Sequence, residues 1–379
     1  GQASVPAGAE GAARDRVLSD LRSPLINDAI AAIRPPDEDA RAEARALQQR
    51  LTKPSGALGR LEDLHVWAAG LLREPAPDTP RKMIVVAAGD HGVVAQGVSA
   101  YPREVTWQMV GNLLGGGAAV NVLAAHAGAE VRVVDAGVLR DTHHPNLHVA
   151  KVRAGTGDVS RGPAMTRDEA AVLVERGIAF ARREVGGKPA MIGLGDMGIG
   201  NTTAAAAITS AMTFAPPRLT AGRGTGIDDA TLARKIDTIE RALAVNGAHA
   251  GDPLDVLAKV GGCEIAFLVG VTIGAAAGSS PVVLDGYPTS AAALLAAAMA
   301  PTAIAYMLAS HVSAEHGHRI ALDHLGLTPL LDLRMRRGEG TGAVLAMTLV
   351  DAALRIPREM ATFDSAGVSQ SERETQPEA

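Results

Sequence analysis

The sequence predicts an α/β protein built on a parallel, Rossmann-like sheet with helices over both faces. Four apolar runs carry this reading: Met83–Gly92, Val131–Gly137, Pro189–Gly198 and Pro281–Gly286. Each ends in a Gly/Asp cluster and is followed by an Ala-rich, helix-forming stretch. Their apolar residues are continuous rather than alternating, as in strands buried on both faces. Composition agrees: 47% of residues are hydrophobic but only 2% aromatic, so small side chains let the layers approach closely.

The elements follow in order. Residues 1–17 and 366–379 are small and polar and are expected to be disordered tails. Asp37–Leu51 is charged and strongly helix-forming, a Pro-containing loop spans Thr52–Arg60, and a second helix runs through Leu72. Three prolines between Glu74 and Arg81 mark a boundary. The expected division is an N-terminal helical part over 18–75, the sheet domain over 76–340 and a C-terminal helix over 341–365. Thr166 and Glu169 form a capping-box pattern that starts a helix. The most apolar run, Ala291–Ser310, is mostly alanine and is interrupted by Pro301 and Thr302, so it predicts a buried helix rather than a membrane span.

Charge and cysteine usage exclude some functions. A net charge of −5 offers no basic footprint for nucleic acid. The lone Cys263 excludes an internal disulfide and a multi-cysteine zinc site, and fits a reducing, cytoplasmic setting. Gly1–Ala13 lacks the apolar core of a signal peptide.

The strongest motif is GLGDMGIGNTT, Gly193–Thr203, between a strand and an Ala-rich helix. Gly195, Gly198 and Gly200 permit close backbone approach to an anion, and Asn201, Thr202 and Thr203 put donors at the helix start, which suits a monophosphate. Gly193, Gly195 and Gly198 also fit G-x-G-x-x-G, raising an NAD-dependent oxidoreductase as an alternative. The acidic residue that should follow about 20 residues on is missing; Pro216, Pro217 and Arg218 stand there instead.

Two further Gly loops, Gly222–Gly226 and Gly338–Gly342, lack the Lys-Ser/Thr of a P-loop. Glu339 in the second is either a general base or an acidic partner of a helix dipole; its spacing leaves both open. His311, Glu315 and His318 would share a face if helical, but Gly317 weakens that helix, so a polar cluster near a site is preferred to a metal site. Asp90 and His91 are adjacent on a strand end, so their side chains should diverge. Tyr101, Trp107, Met109 and Tyr287 lie near strand ends, where flat and polarizable side chains would suit a heteroaromatic ligand; ordinary core packing is the alternative.

Seven ordered blocks carry a resemblance: Lys53–Glu62, Ala87–Val93, Tyr101–Val110, Gly193–Thr203, Gly222–Asp229, Pro281–Ala296 and Arg336–Ala343. Together they resemble the nicotinate-nucleotide–dimethylbenzimidazole phosphoribosyltransferases of cobalamin biosynthesis, from about Leu51 to Asp364. The resemblance implies a small helical bundle made from both chain ends, a homodimer, and no metal or cofactor. It implies transfer of phosphoribose from nicotinate mononucleotide to a benzimidazole-type base, with inversion at the anomeric carbon. It makes Glu339 the base, puts Tyr101, Gln108 and Met109 in the acceptor pocket, and assigns Gly195–Thr203 and Lys235 to the ribose phosphate. Asp196 stands where the family often has Glu, which leaves a catalytic or ribose-positioning role for it. A non-catalytic base-binding protein is the remaining alternative.

Overall fold

The structure is a computed structural model that describes residues 23–224 and 226–369. The tail expected over 1–17, and residues 370–379 of the other, lie outside them. The described residues open with helices α1 (Pro24–Ala31), α2 (Glu38–Arg50) and α3 (Arg60–Leu72), followed by β1 (Arg81–Gly89). Next come α4 (Val105–Leu114), α5 (Ala119–Ala127), β2 (Ala129–Gly137), β3 (Leu147–Val149), α6 (Arg167–Val185) and β4 (Ala190–Met197). Helices α7 (Asn201–Thr213), α8 (Pro217–Thr220), α9 (Asp229–Asn246), α10 (Pro253–Val260) and α11 (Cys263–Ala277) lead to β5 (Val282–Leu284). The rest is α12 (Tyr287–Met299), β6 (Met307–Ala309), α13 (His316–Leu325), α14 (Thr341–Glu359) and α15 (Phe363–Ala366).

The strands form one sheet in the order β3-β2-β1-β4-β5-β6, with every neighbouring pair parallel. This is the doubly wound order, whose switch point lies between β1 and β4. The four expected strands are the four central ones. The edge strands β3 and β6 hold three residues each, too few for a periodic signal.

Strand β1 shows why its sequence is apolar throughout. Met83, Val85 and Ala87 enter one core with Val174, Phe180 and Phe267 of α6 and α11. Ile84, Val86 and Ala88 enter the other, with Val110 of α4 and Val344 and Met347 of α14. Side chains alternate along a strand, so two buried faces need two apolar sets.

Close packing of α6 on α11 depends on facing glycines. A Cβ on Gly270 would lie 2.0 Å from the Val174 carbonyl oxygen, and one on Gly177 would lie 2.1 Å from that of Phe267. Helix α6 starts at the expected capping box: Thr166 Oγ1 accepts from Glu169 N at 3.1 Å, and Glu169 Oε2 accepts from Thr166 N at 2.8 Å.

Helices α2 and α3 pack together, and α3 also lies against α14. Leu51 forms an antiparallel bridge to Thr362 near the other end of the chain. Helix α14 is shared between these helices and the sheet, where Ala343 and Met347 lie over Gly193. Helix α12 is buried almost throughout, and no described helix is long and apolar enough to cross a membrane.

Candidate active site

A cleft of about 300 Å³ opens beyond the carboxyl ends of β4 and β5, beside the switch point. Tyr101, Val105 and Met109 form an apolar wall, while Asp196, Asn201 and Thr202 come from the end of β4 and the start of α7. Arg336, Arg337, Gly338 and Glu339 close a third side from the loop before α14. Thr225, in the neighbouring Gly222–Gly226 loop, lies outside the described residues.

Asp285, at the end of β5, fixes that loop. Its Oδ1 accepts from Gly342 N at 2.7 Å and Ala343 N at 3.2 Å, and its Oδ2 accepts from Gly340 N at 3.0 Å. A carboxylate on the free N–H groups of a helix start satisfies donors and complements the helix dipole. Burial nevertheless raises the pKa of Asp285, against His311 and these N–H groups, which lower it.

Glu339, held by this clasp, adopts φ +70°, a left-handed conformation that a side chain rarely takes. Its carboxylate is buried: Oε1 accepts from Arg337 Nη2 at 2.8 Å, and Oε2 has no partner. Burial raises its pKa, Asp285 adds to the rise, and Arg337 opposes it. Asp196 is also buried, with Asn201 Nδ2 donating to Oδ2 and Oδ1 unpartnered. Burial holds its pKa well above the carboxylate range, reinforced by Asp285, Glu264 and Glu339.

Lys235 is fully buried behind Thr202. Its Nζ donates to Thr202 Oγ1 at 2.8 Å and to the Gly222 carbonyl at 3.0 Å. Burial lowers its pKa to about 8, with Glu315 opposing.

The site residues expected from sequence fall into two groups. Asp196, Gly198, Asn201, Thr202, Tyr101, Met109 and Glu339 line the cleft, with Lys235 bonded to one of them. Gln108 does not; it is exposed on α4, where Val105 and Met109 take the inward face. Gly195 serves packing: a Cβ there would lie 2.5 Å from the Glu339 carbonyl carbon, so this glycine seats the Glu339 loop. Gly198 needs no Cβ for a similar reason, because one would lie 2.2 Å from the Gly89 carbonyl oxygen. Gly200 takes φ +96° where α7 begins, and Thr203 is buried in the first turn of that helix. The N–H groups of Asn201, Thr202 and Thr203 already donate to Gly198 O, Asn201 Oδ1 and Gly200 O, so none of the three is left without an acceptor.

The G-x-G-x-x-G match is explained the same way. Gly193 and Gly195 lie within β4, two residues apart on the face under α14, instead of in a phosphate-binding turn.

The other polar candidates separate as well. Helix α13 starts at His316, so His311, Glu315 and His318 share no helical face; among the described residues no group of three His, Cys, Asp or Glu could hold a metal. Asp90 and His91 diverge: Asp90 Oδ2 accepts from Leu139 N at 2.8 Å, and His91 Nε2 lies 2.5 Å from Glu264 Oε1. Trp107 stacks under the Arg140 guanidinium at 4.2 Å. Tyr287 lines the cleft but donates its hydroxyl to the Thr220 carbonyl at 2.9 Å. Cys263 is buried at the start of α11 against Gly137, away from the cleft lining.

Asp285, Arg336 and Arg337 were not singled out by sequence reasoning. The available signals were an Asp at a strand's carboxyl end and two arginines abutting GEGTG.

Comparison with known proteins identifies the family. A family model described as phosphoribosyltransferase matches residues 33–368. The nicotinate-nucleotide–dimethylbenzimidazole phosphoribosyltransferase of Chloroflexus aggregans is 53% identical over 347 residues, covering 91% of this chain and 98% of the relative. This chain belongs to that family. The enzyme of the same name from Geotalea uraniireducens is 50% identical and covers 92% of this chain and 99% of its own. A crystal structure of the family member from Thermus thermophilus matches with a TM-score of 0.83 at 48% identity, covering 88% of this chain and 100% of that one. The family to which the sequence motifs pointed is therefore the family to which the chain belongs.

Proposed function

We propose that the chain transfers the 5-phosphoribosyl group of nicotinate mononucleotide to 5,6-dimethylbenzimidazole, giving α-ribazole 5′-phosphate and nicotinate. One observation carries the reading beyond family membership: Glu339 offers an unpartnered buried carboxylate oxygen in a cleft with an apolar wall on one side and Asn201 and Thr202, backed by Lys235, on another. The acceptor base sits against Tyr101, Val105 and Met109. The Asn201 amide, the Thr202 hydroxyl and the Lys235 ammonium hold the phosphoribosyl group.

The acceptor's free ring nitrogen attacks the anomeric carbon from the face opposite nicotinate. The new C–N bond forms as the bond to the pyridinium nitrogen breaks, and the electron pair leaves on the ring nitrogen of nicotinate, which becomes neutral. Positive charge then falls on the benzimidazole, whose remaining N–H gives its proton to Glu339 Oε2. A base with a raised pKa is suited to this, because proton-transfer driving force grows with basicity. Asp196, deep in a carboxylate-rich corner where burial raises its pKa, acts as a ribose-hydroxyl partner. The family resemblance further supports a homodimer, which analytical ultracentrifugation would test.

Chromatography of products from nicotinate mononucleotide and a panel of bases tests the reaction. Nicotinate and a ribosylated base should appear together. Tight binding of base without nicotinate release would instead favour a base-binding protein.

A further inference from the structure

Glu339 works in a hostile electrostatic setting for a base. Its backbone is pinned by the Asp285 clasp, and its side chain is buried. The groups around it are largely acidic: Asp285 at the end of β5, Asp196 at the end of β4, and beyond Asp196 the Glu264 carboxylate of α11. Glu315 lines the same cleft from the segment after β6. The nearby basic groups are mostly occupied. His311 faces Asp285 at 4.0 Å and shares a hydrogen bond with Ser310, and Lys235 is bonded to Thr202 and Gly222. Arg336 and Arg337 flank the base on its own loop, and among the described residues Arg337 is the one cation in an ion pair with it, at 2.8 Å.

A carboxylate buried among carboxylates takes up a proton, and a protonated Glu339 cannot accept the acceptor's N–H proton. We propose that Arg337 is a positioning residue for this base: its guanidinium holds Glu339 ionised through Oε1 and leaves Oε2 unpartnered for the acceptor's N–H. The geometry has the asymmetry this requires. One carboxylate oxygen is bonded and the other is free, so the ion pair does not consume the acceptor atom. The Arg337 side chain is 55% exposed, so it stays largely hydrated while pairing with a buried partner. Glu339's raised pKa, which Arg337 moderates, is consistent with that role. The inference rests on the transfer reaction proposed above and adds a pH range over which the base works.

The test compares Arg337→Met and Arg337→Lys with the unsubstituted enzyme across pH. For a base that must be ionised, activity falls as pH drops through its pKa. Removing the cation should therefore move the acid limb of kcat/KM to higher pH, with the loss deepest at low pH and relieved as pH rises. Lys should restore much of the limb. Infrared difference spectra against Glu339→Gln provide a readout independent of turnover: the Glu339 carboxylate band should titrate at higher pH in Arg337→Met. A uniform loss at every pH with an unmoved carboxylate titration would overturn the proposal and leave Arg337 a substrate contact. Inactivity of the unsubstituted enzyme alongside a shifted titration would sink the transfer reaction while sustaining the ion-pair role.

Discussion

Gly195→Ala isolates the placement of Glu339 without touching its carboxylate. Gly195 lies in β4, paired with Val86, and its missing side chain is the seat of the Glu339 loop. A Cβ there would stand 2.5 Å from the Glu339 carbonyl carbon and 2.6 Å from Gly340 N, where ordinary contact begins at 3.4 Å. The obstacle is backbone held by Asp285, so it cannot rotate aside, and the loop must retreat by about 1 Å. Overpacking of this kind costs about 1–3 kcal/mol of stability, and a 1 Å misplacement of a catalytic group costs about 10²-fold in rate. The expected outcome is a folded protein with a lowered Tm, kcat down about 10²-fold, and a KM for nicotinate mononucleotide changed far less. Steady-state kinetics beside thermal unfolding would decide it. A folded Gly195→Ala with kcat near that of the parent would refute the seating argument, and a selective rise in nucleotide KM would return Gly195 to the phosphate.

Four other outcomes follow from the same geometry. Glu339→Gln should lower kcat by about 10²–10⁴-fold, the usual worth of general-base assistance, while calorimetry still detects acceptor binding. Asp285→Asn replaces one accepting oxygen with a donor, leaving a buried N–H of the α14 start unsatisfied at about 1–3 kcal/mol; both Tm and kcat should fall. Gly198→Val should chiefly lower Tm, because its Cβ meets the Gly89 carbonyl oxygen at 2.2 Å; unchanged stability with lost nucleotide affinity would contradict this. Lys235, with its pKa lowered to about 8, is a cation below that pH. Nucleotide kcat/KM should therefore decline as pH rises through about 8, and Lys235→Met should lack that limb.

Much of the sheet was legible because β1, β2, β4 and β5 are buried on both faces, and such strands announce themselves as unbroken apolar runs. The three-residue edges β3 and β6 carry no pattern of their own and exist through pairing with distant neighbours. The site divided along the same line. Asn201 and Thr202 follow from local logic, as donors at a helix start; Glu339 stood there beside a helix-dipole alternative, and Asp196 entered through the family resemblance. Asp285 was visible only as the end of a strand, since its three N–H partners lie 55 to 58 residues away. The packing demand on the glycines was hidden for the same reason: Gly195 and Gly198 abut the Glu339 loop and Gly89, contacts that no local motif encodes. Gln108 shows the resolution limit of a motif, because a helix turns about 100° per residue and an adjacent position faces elsewhere.

The central claim is direct displacement at the anomeric carbon by the acceptor base. Proton NMR of the reaction with nicotinate mononucleotide and 5,6-dimethylbenzimidazole tests it in one tube. Free nicotinate should grow one for one with a new anomeric signal of α configuration, and neither should appear when the acceptor is omitted. Nicotinate released without acceptor, or a product that keeps the β configuration, would contradict it.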